Sequence, residues 1–189
     1  MARTVAAAFA CDPAWAFIFG EEYERLAEQF AAALFDARVL SQDVWVSDDL
    51  AAVSMWDPPE RSESARRGAA EIWARYRAIA GEPAMARLAR YNDAVAGAAA
   101  AVRERHWYLG VLATHPGRRR EGLASAVLAP VLADADRRGL ACCLETSTVD
   151  NRLFYGRRGF TEASEIALPS GPPTWWLRRA PVSAHGAGG

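Results

Sequence analysis

Residues 107–139, WYLGVLATHPGRRREGLASAVLAPVLADADRRG, contain the local pattern that decides the fold. The segment 107–114 is apolar and rich in β-favouring residue types, and Pro116-Gly117 ends it, so a buried strand is predicted there. Apolar residues then recur at helical spacing from Leu123 to Leu132, and Gly139 follows two arginines. The pattern predicts a strand, a short loop and a helix over 122–138.

The loop between this strand and this helix has the composition of an anion site. Gly122 lets the backbone approach a ligand, and the first turn of a helix offers unpaired N–H groups at the positive end of its dipole. Three consecutive arginines, 118–120, add positive charge. An ordinary strand-to-helix turn with solvated arginines remains the alternative at this point.

Length and composition bound the rest of the chain. With 189 residues, 51% hydrophobic and 24% charged, the chain fits one globular domain, which we expect over 1–181 with a flexible tail at 182–189. A net charge of −1 does not indicate a general affinity for nucleic acid or acidic membranes, and we expect neither as a partner. All basic residues are Arg, which excludes a Schiff-base lysine.

Cysteine and histidine usage points to a cytoplasmic protein without a metal site. Cys11, Cys142 and Cys143 cannot all pair, and adjacent strand residues face opposite sides of a sheet, so core positions in a reducing cytosol are expected. The three histidines do not have the spacing of a metal site, so no metal is expected.

Helical and strand patterns alternate along the remaining sequence. Two helices are predicted within residues 1–36, and a strand–turn–strand unit is predicted at 43–46 and 51–56. Helical composition follows over 63–105, with a break at 81–83. The last predicted elements are a strand at 140–146, a short helix at 151–158, and strands at 161–168 and 174–179. We therefore expect an α/β (α+β) fold, a mixed and mostly antiparallel sheet flanked by helices.

A second motif follows the strand at 140–146. In Asn151–Phe160 (NRLFYGRRGF), Asn151 is predicted to cap the short helix and two phenylalanines to pack it down, which leaves Tyr155 free to face a cleft. A packed aromatic ring with a surface hydroxyl is the alternative for Tyr155 alone.

Together, R-x-x-G-x-A at Arg119–Ala124 and N-x-x-F-Y-x-x-x-G-F about 30 residues later resemble the GNAT family of acyl-CoA-dependent N-acyltransferases. The similarity is strongest after residue 105 and is closest to members that acetylate puromycin. It implies a sheet that splays open between the strands 107–114 and 140–146, with acetyl-CoA in the gap. The residues implied to contact CoA are Leu112, Ala113, Thr114, Arg119, Arg120, Glu121, Gly122, Leu123, Ala124, Ser125, Asn151 and Tyr155.

Two departures from the family pattern stand out. Arg120 replaces a common glycine, and Glu121 replaces a basic residue, so repulsion should weaken anion binding unless Glu121 points outward or pairs with an arginine. The chain also begins within what resembles the family's first helix, so either the opening edge strand is missing or the start was assigned late. Edge protection and the choice between monomer and homodimer are left open by this feature.

The implied reaction is direct acetyl transfer from acetyl-CoA to a primary amine. Tyr155 is the candidate acid for the leaving thiolate, because its phenol is reasonably matched to a thiol. The backbone N–H near Leu112 is the candidate group that polarises the carbonyl. Glu145, at the end of a strand, is the candidate base, with a purely structural carboxylate as the alternative.

Aromatic residues in the N-terminal half suggest the acceptor. They would suit an aminoacyl-nucleoside antibiotic such as puromycin, or another aromatic amine, in resistance, self-protection or biosynthesis, although rings at helical spacing also pack into cores. Two alternatives stay open, namely an acyltransferase for a peptide or protein amine or for a longer acyl-CoA, and a non-catalytic CoA-binding regulatory module.

Overall fold

The computed structural model describes residues 1–182. It contains the strand–loop–helix predicted at 107–138, and the strand of this unit lies at the centre of the sheet. The helices are α1 (Ala2–Phe9), α2 (Pro13–Phe19), α3 (Tyr23–Val39), α4 (Glu63–Ala80), α5 (Glu82–Ala99), α6 (Leu123–Arg138) and α7 (Val149–Gly156). The strands are β1 (Val44–Val46), β2 (Ala52–Asp57), β3 (His106–Thr114), β4 (Ala141–Thr146), β5 (Thr161–Ile166) and β6 (Thr174–Arg179).

The six strands form one sheet in the order β1-β2-β3-β4-β6-β5. Only the central pair, β3 and β4, is parallel, because helix α6 returns the chain to the same end of the sheet, and every other pair is antiparallel. The predicted mixed, mostly antiparallel sheet flanked by helices is confirmed. Within residues 1–182 the first element is helix α1, and the three-residue strand β1 lies at one edge of the sheet.

Helices cover both faces of the sheet. On one face, α1 to α5 pack around an aromatic core that includes Trp15, Phe19 and Phe30, with Val111 and Ala113 of β3 closing it from the sheet. On the other face, residues of α6 and α7 pack against Trp56 and Trp107.

A β-bulge at Gly110 explains how strand β3 contributes side chains to both cores. Met55 pairs with Val111 but the next residue, Trp56, pairs with Leu109, so Gly110 is the extra residue of β3. Because side chains alternate along a strand, the extra residue moves the inward-facing set to the opposite face. The side chain of Arg38 lies against this bulge, and a Cβ at position 110 would displace the Arg38 guanidinium. Glycine therefore leaves room for Arg38 at this position.

Strands β3 and β4 separate soon after they meet. Their pairing covers only three residue pairs, from His106 with Ala141 to Tyr108 with Cys143. The sheet therefore splays open beyond Tyr108, as the family resemblance implies.

The N-terminal region has three helices where two were predicted. Asp12 caps α2 by accepting hydrogen bonds from the backbone of Ala14 and Trp15, and Pro13 occupies its first turn. Gly20, with φ of +55°, ends α2 before α3 begins. The aromatic composition of residues 14–19 hid this short helix from the periodicity argument.

Two boundaries near the C-terminal motif also differ from the predictions. Thr148, not Asn151, caps α7, because the Thr148 hydroxyl accepts a hydrogen bond from the Asn151 backbone, and the helix starts at Val149. Strand β5 ends at Ile166 rather than at 168, two residues before a turn closed by a hydrogen bond from Gly171 to Leu168. Asn151 is thereby free of a capping role.

The cysteines follow the expectation in part. Cys142 and Cys143 are buried in different cores on opposite faces of β4, but Cys11 is exposed, which corrects its assignment to the core. Among residues 1–182, none of the helices combines the length and apolarity needed to cross a membrane. Of the expected tail, positions 183–189 lie outside the described residues.

A buried polar cluster anchors the end of α3 beside the bulge. The Arg38 guanidinium donates a hydrogen bond to Asp57 at 3.0 Å, and Asp57 also pairs with Arg61. Asp43 is 7% exposed, and its Oδ2 finds no hydrogen-bond partner among the described residues. Burial raises the pKa of Asp43 to about 6, with Asp57 adding to the rise and Arg61 opposing it.

We expect Asp43→Asn to stabilise the protein at pH 7.5 by about 1–3 kcal/mol. The folded-state pKa of Asp43 is raised, so ionising this carboxyl costs folding free energy progressively between pH 4 and 6, and the full cost applies above pH 6. Urea unfolding of both proteins at pH 7.5 and pH 4 measures the difference, which should shrink at pH 4. The exposed Asp48→Asn serves as control, and lower stability of Asp43→Asn at pH 7.5 contradicts the assignment.

Candidate active site

The separation of β3 from β4 opens two connected cavities. A groove of about 710 Å³ runs along the loop 118–125 and helix α7. A smaller chamber of about 130 Å³ lies between the diverging strands and the helices α2, α3 and α5. Four residues line both spaces and mark their junction, namely Phe9, Asp12, Leu112 and Asn151.

The groove is rich in cationic side chains. Its basic lining residues are Arg118, Arg119, Arg120, Arg157 and Arg158. The N-terminus of α6 opens onto the same wall, and Gly122 there adopts φ of +81° with no protein atom within 4 Å of an added Cβ. A left-handed glycine with open space above it lets an anionic ligand approach the backbone N–H groups of the first helical turn.

Glu121 does not bring an unpaired negative charge into the groove. Its carboxylate accepts hydrogen bonds at 2.8 and 2.9 Å from Arg118, which also pairs with Asp49, and the Arg118 contact lowers the pKa of Glu121. Glu121 is not among the residues that line the groove. The repulsion expected from the sequence is thus offset by this ion pair, which leaves Arg119 and Arg120 as the basic loop residues for an anion.

The loop has a strained backbone at Arg120. Its φ is +70°, a left-handed conformation that costs a non-glycine residue about 1–2 kcal/mol. The neighbouring Arg119 donates a hydrogen bond to the Ala8 carbonyl at 3.3 Å, which ties the loop to the end of α1. A glycine at position 120 would adopt this conformation without that cost.

Arg158 is a groove residue that the sequence analysis did not single out. Its guanidinium lies 3.5 Å from the centre of the Phe154 ring and donates hydrogen bonds to the Phe154 carbonyl and the Ser125 hydroxyl. Burial and the adjacent Arg157 lower the pKa of Arg158. The pair Arg157-Arg158 after Tyr155 was the sequence signal for this position. Arginines at the end of a short helix can reach the first turn of a neighbouring helix, here Ser125 of α6.

Glu145 lines the chamber and is hydrogen-bonded to two tyrosines. Its carboxylate accepts hydrogen bonds from the hydroxyls of Tyr108 at 2.6 Å and Tyr91 at 3.4 Å. Burial raises the pKa of the Glu145 carboxyl, and the Tyr108 hydrogen bond opposes the rise. A carboxylate with a raised pKa is better suited to accept a proton at neutral pH than an exposed one.

Tyr155 lines the chamber from helix α7. Its ring packs edge-on against Phe154 and Phe160, with ring centres 5.2 and 5.6 Å away. Burial raises the pKa of the Tyr155 phenol, and Glu145 raises it further, so the hydroxyl is protonated at neutral pH. Such a group can donate a proton but cannot act as a base.

Most of the predicted site residues line one of the two cavities. Those at the groove or the chamber are Leu112, Thr114, Arg119, Arg120, Gly122, Leu123, Ala124, Ser125, Glu145, Asn151 and Tyr155. The side chain of Ala113 instead faces the core, and Glu121 faces its arginine partner. The sequence analysis missed Phe9 and Asp12, which come from a turn more than 95 residues away from the motifs.

The aromatic residues of the N-terminal half divide between core and chamber. Trp15, Phe30 and Tyr91 line the chamber. Phe19 and Tyr76 belong to the core without reaching it. Both alternatives weighed for these rings therefore apply, each to different residues.

Comparison with known proteins places these features in a family. Residues 47–160 match the model of the acetyltransferase (GNAT) family, more than half of the chain. The match includes the loop after β3, the glutamate of β4 and the tyrosine of α7, and it excludes the helices α1 to α3.

Solved structures extend the similarity of fold to nearly the whole chain. The structure of histone acetyltransferase HPA2 and related acetyltransferase from Corynebacterium glutamicum superposes with a TM-score of 0.64 at 22% identity, covering 98% of this chain and 91% of that one. An N-acetyltransferase from Staphylococcus aureus Mu50 superposes with a TM-score of 0.54 at 16% identity, covering 94% and 92%. At these identities the likeness concerns the fold.

Proposed function

The chain belongs to the GNAT family of acetyltransferases, and from that premise we propose that it transfers an acetyl group from acetyl-CoA to the primary amine of an aromatic small molecule. Acyl-CoA-dependent N-acetylation is the general activity of this family. The observation that supports the proposal is the junction of a cation-rich groove with a chamber that holds Glu145 and Tyr155. We also propose that residues 1–181 act as one catalytic domain.

The groove has the chemistry that CoA requires. A diphosphate needs cations and N–H donors, and Arg119, Arg120 and the first turn of α6 supply both. The edge of β3 that has separated from β4 offers backbone groups near Leu112 and Thr114 to an amide-bearing arm such as pantetheine. We assign Asn151, which lines both cavities, to the cofactor side of the junction.

The proposed reaction is a direct transfer between two bound substrates. The neutral amine nitrogen forms a bond to the thioester carbonyl carbon, and the carbon–sulfur bond breaks. Glu145, directly or through water, takes the proton that the amine loses, and Tyr155 gives its proton to the CoA thiolate, so that the products are an amide and free CoA thiol. A backbone N–H near Leu112 polarises the carbonyl.

The chamber supports an aromatic acceptor. Aromatic rings from six elements line it, and Trp15 of α2 and Tyr155 of α7 are among them. An aminoacyl nucleoside such as puromycin, whose amine is attached to an aromatic amino acid, has the required chemistry, and its acetylation would serve antibiotic resistance or self-protection.

The test is release of CoA thiol from acetyl-CoA in the presence of a panel of amines. We expect release with puromycin or with smaller aromatic amines, and less with peptides or with longer acyl-CoA donors. Release only with peptides moves the assignment to a protein or peptide acyltransferase. No release with any amine, together with a thermal shift caused by acetyl-CoA alone, favours a non-catalytic CoA-binding module.

A further inference from the structure

Among residues 1–182, Asp12 is the only charged residue at the junction of the two cavities. Of the four residues that line both spaces, Phe9 and Leu112 are apolar and Asn151 is neutral. If the acetyl group is transferred where the groove meets the chamber, as the proposed function requires, this carboxylate lies next to the reacting atoms.

The local structure fixes one oxygen of Asp12 and leaves the other available. Both hydrogen bonds that the described residues make to this side chain end on Oδ1, from the backbone N–H groups of Ala14 at 2.9 Å and Trp15 at 3.1 Å. A carboxylate held in this way has a fixed orientation, and Oδ2 remains for a ligand. Asp12 is half-buried, so a charge that it pairs with is only weakly screened.

The charges around the chamber select a cation. Of the described residues, Asp12 and Glu145 are its charged lining residues, and this lining includes no Arg or His, because the arginines near the junction line the groove and not the chamber. Glu145 already accepts hydrogen bonds from Tyr108 and Tyr91, whereas Asp12 Oδ2 accepts none from the described residues. An ammonium group therefore meets a carboxylate at the junction, and a carboxylate-bearing acceptor meets repulsion.

Aromatic rings line the chamber together with this carboxylate. Phe9 and Trp15 stack with ring centres 4.6 Å apart on either side of Asp12 in the sequence, and both line the chamber. Rings placed beside a carboxylate bind an ammonium through charge and through the ring face, and they bury an apolar substituent.

We propose that Asp12 is the amine-binding residue of the acceptor site, and that it selects primary ammonium compounds with an aromatic substituent. This inference rests on the proposed function, because it places the acceptor at the junction. The bound ammonium gives one proton to solvent water before the neutral amine attacks, and Glu145 takes the second proton in the proposed reaction. It assigns a role in acceptor choice to the turn between α1 and α2, which lies outside the two motifs.

The test compares an ammonium with its uncharged isostere in the Asp12→Asn variant. Asparagine also caps helices, so α2 should be kept. With acetyl-CoA replaced by CoA, calorimetry measures the binding of 2-phenylethylamine and of 2-phenylethanol. We expect the wild type to bind the amine at least tenfold more tightly than the alcohol, and the variant to bind the two within threefold. The control Asp134→Asn removes a partly exposed carboxylate of α6 that pairs with Arg137 and Arg138, and should behave as wild type.

A preference for the amine that is unchanged in Asp12→Asn, or absent in the wild type, overturns this role for Asp12. Thiol release tests the proposed function separately. We expect Asp12→Asn to raise the KM for 2-phenylethylamine at least tenfold without changing the affinity for acetyl-CoA. If no amine releases thiol in the wild type, the proposed function fails, and the calorimetric comparison still decides whether Asp12 binds an ammonium.

Discussion

Tyr155→Phe is expected to lower kcat by about 10²–10³-fold and to leave the Kd for acetyl-CoA within about twofold. The hydroxyl is the group that we assign to protonate the departing thiolate, and its pKa is raised by burial, so the proton is present at neutral pH. The variant ring keeps its edge contacts with Phe154 and Phe160, so the fold should not change. Single-turnover thiol release measures the rate of the chemical step, and equilibrium binding measures the Kd for acetyl-CoA.

The control for this substitution is Tyr23→Phe. The Tyr23 hydroxyl donates a hydrogen bond to the Ala6 carbonyl at 2.7 Å and lines neither cavity, so its loss should leave kcat unchanged. A Tyr155→Phe enzyme with wild-type kcat would remove this phenol from the mechanism and return it to a packing role.

Glu145→Gln is expected to lower kcat/KM by about 10²-fold at pH 7. Glutamine can still accept a hydrogen bond from Tyr108, so the chamber keeps its shape, but it cannot take a proton. A base must be ionised to act, and burial raises the pKa of Glu145 above its ordinary value, so wild-type activity should fall as the pH drops through this raised pKa. The pH dependence of kcat/KM for the two enzymes measures this, and the limb assigned to Glu145 should be absent in the variant.

A structural role for Glu145 predicts a different result. In that case the variant would have a lower melting temperature, and its pH profile would keep the shape of the wild type. Glu165→Gln on strand β5 is the control, because that exposed side chain lines neither cavity. The ionisation of the amine itself contributes a limb common to all these enzymes, so the comparison isolates the carboxylate.

Sequence reasoning was most successful where local pattern and tertiary structure agree. The segment 107–138 has the apolar periodicity, the breaker and the closing glycine of a strand–loop–helix, and all three are found in the structure. The strand–turn–strand unit near residue 50 and the break at Gly81 were also confirmed. The capping of α7 was wrong because Thr148 and Asn151 are both good capping residues, and only the path of the chain after β4 chooses between them.

Other features had no signal in the local sequence. The bulge at Gly110 depends on the register between β2 and β3 and on the position of Arg38 beneath it. The sequence left open whether Glu121 repels a bound anion or pairs with an arginine, and the structure shows Arg118 within hydrogen-bond distance of its carboxylate. Register and side-chain pairing result from the packing of whole elements, and residue spacing along the chain does not specify them.

The sequence by itself determined most of the elements and the two motifs, because periodicity, breakers and motif spacing are local properties of the chain, and the resemblance carried by those motifs indicated the kind of chemistry. Only the tertiary structure decided that Phe9 and Asp12 meet Leu112 and Asn151 at one junction, with Glu145 and three tyrosines in the chamber beyond it. These residues come from segments separated by up to about 140 positions. The packing of α1 and α2 over the gap between β3 and β4 brings them together, and that packing depends on shape and burial across the whole core.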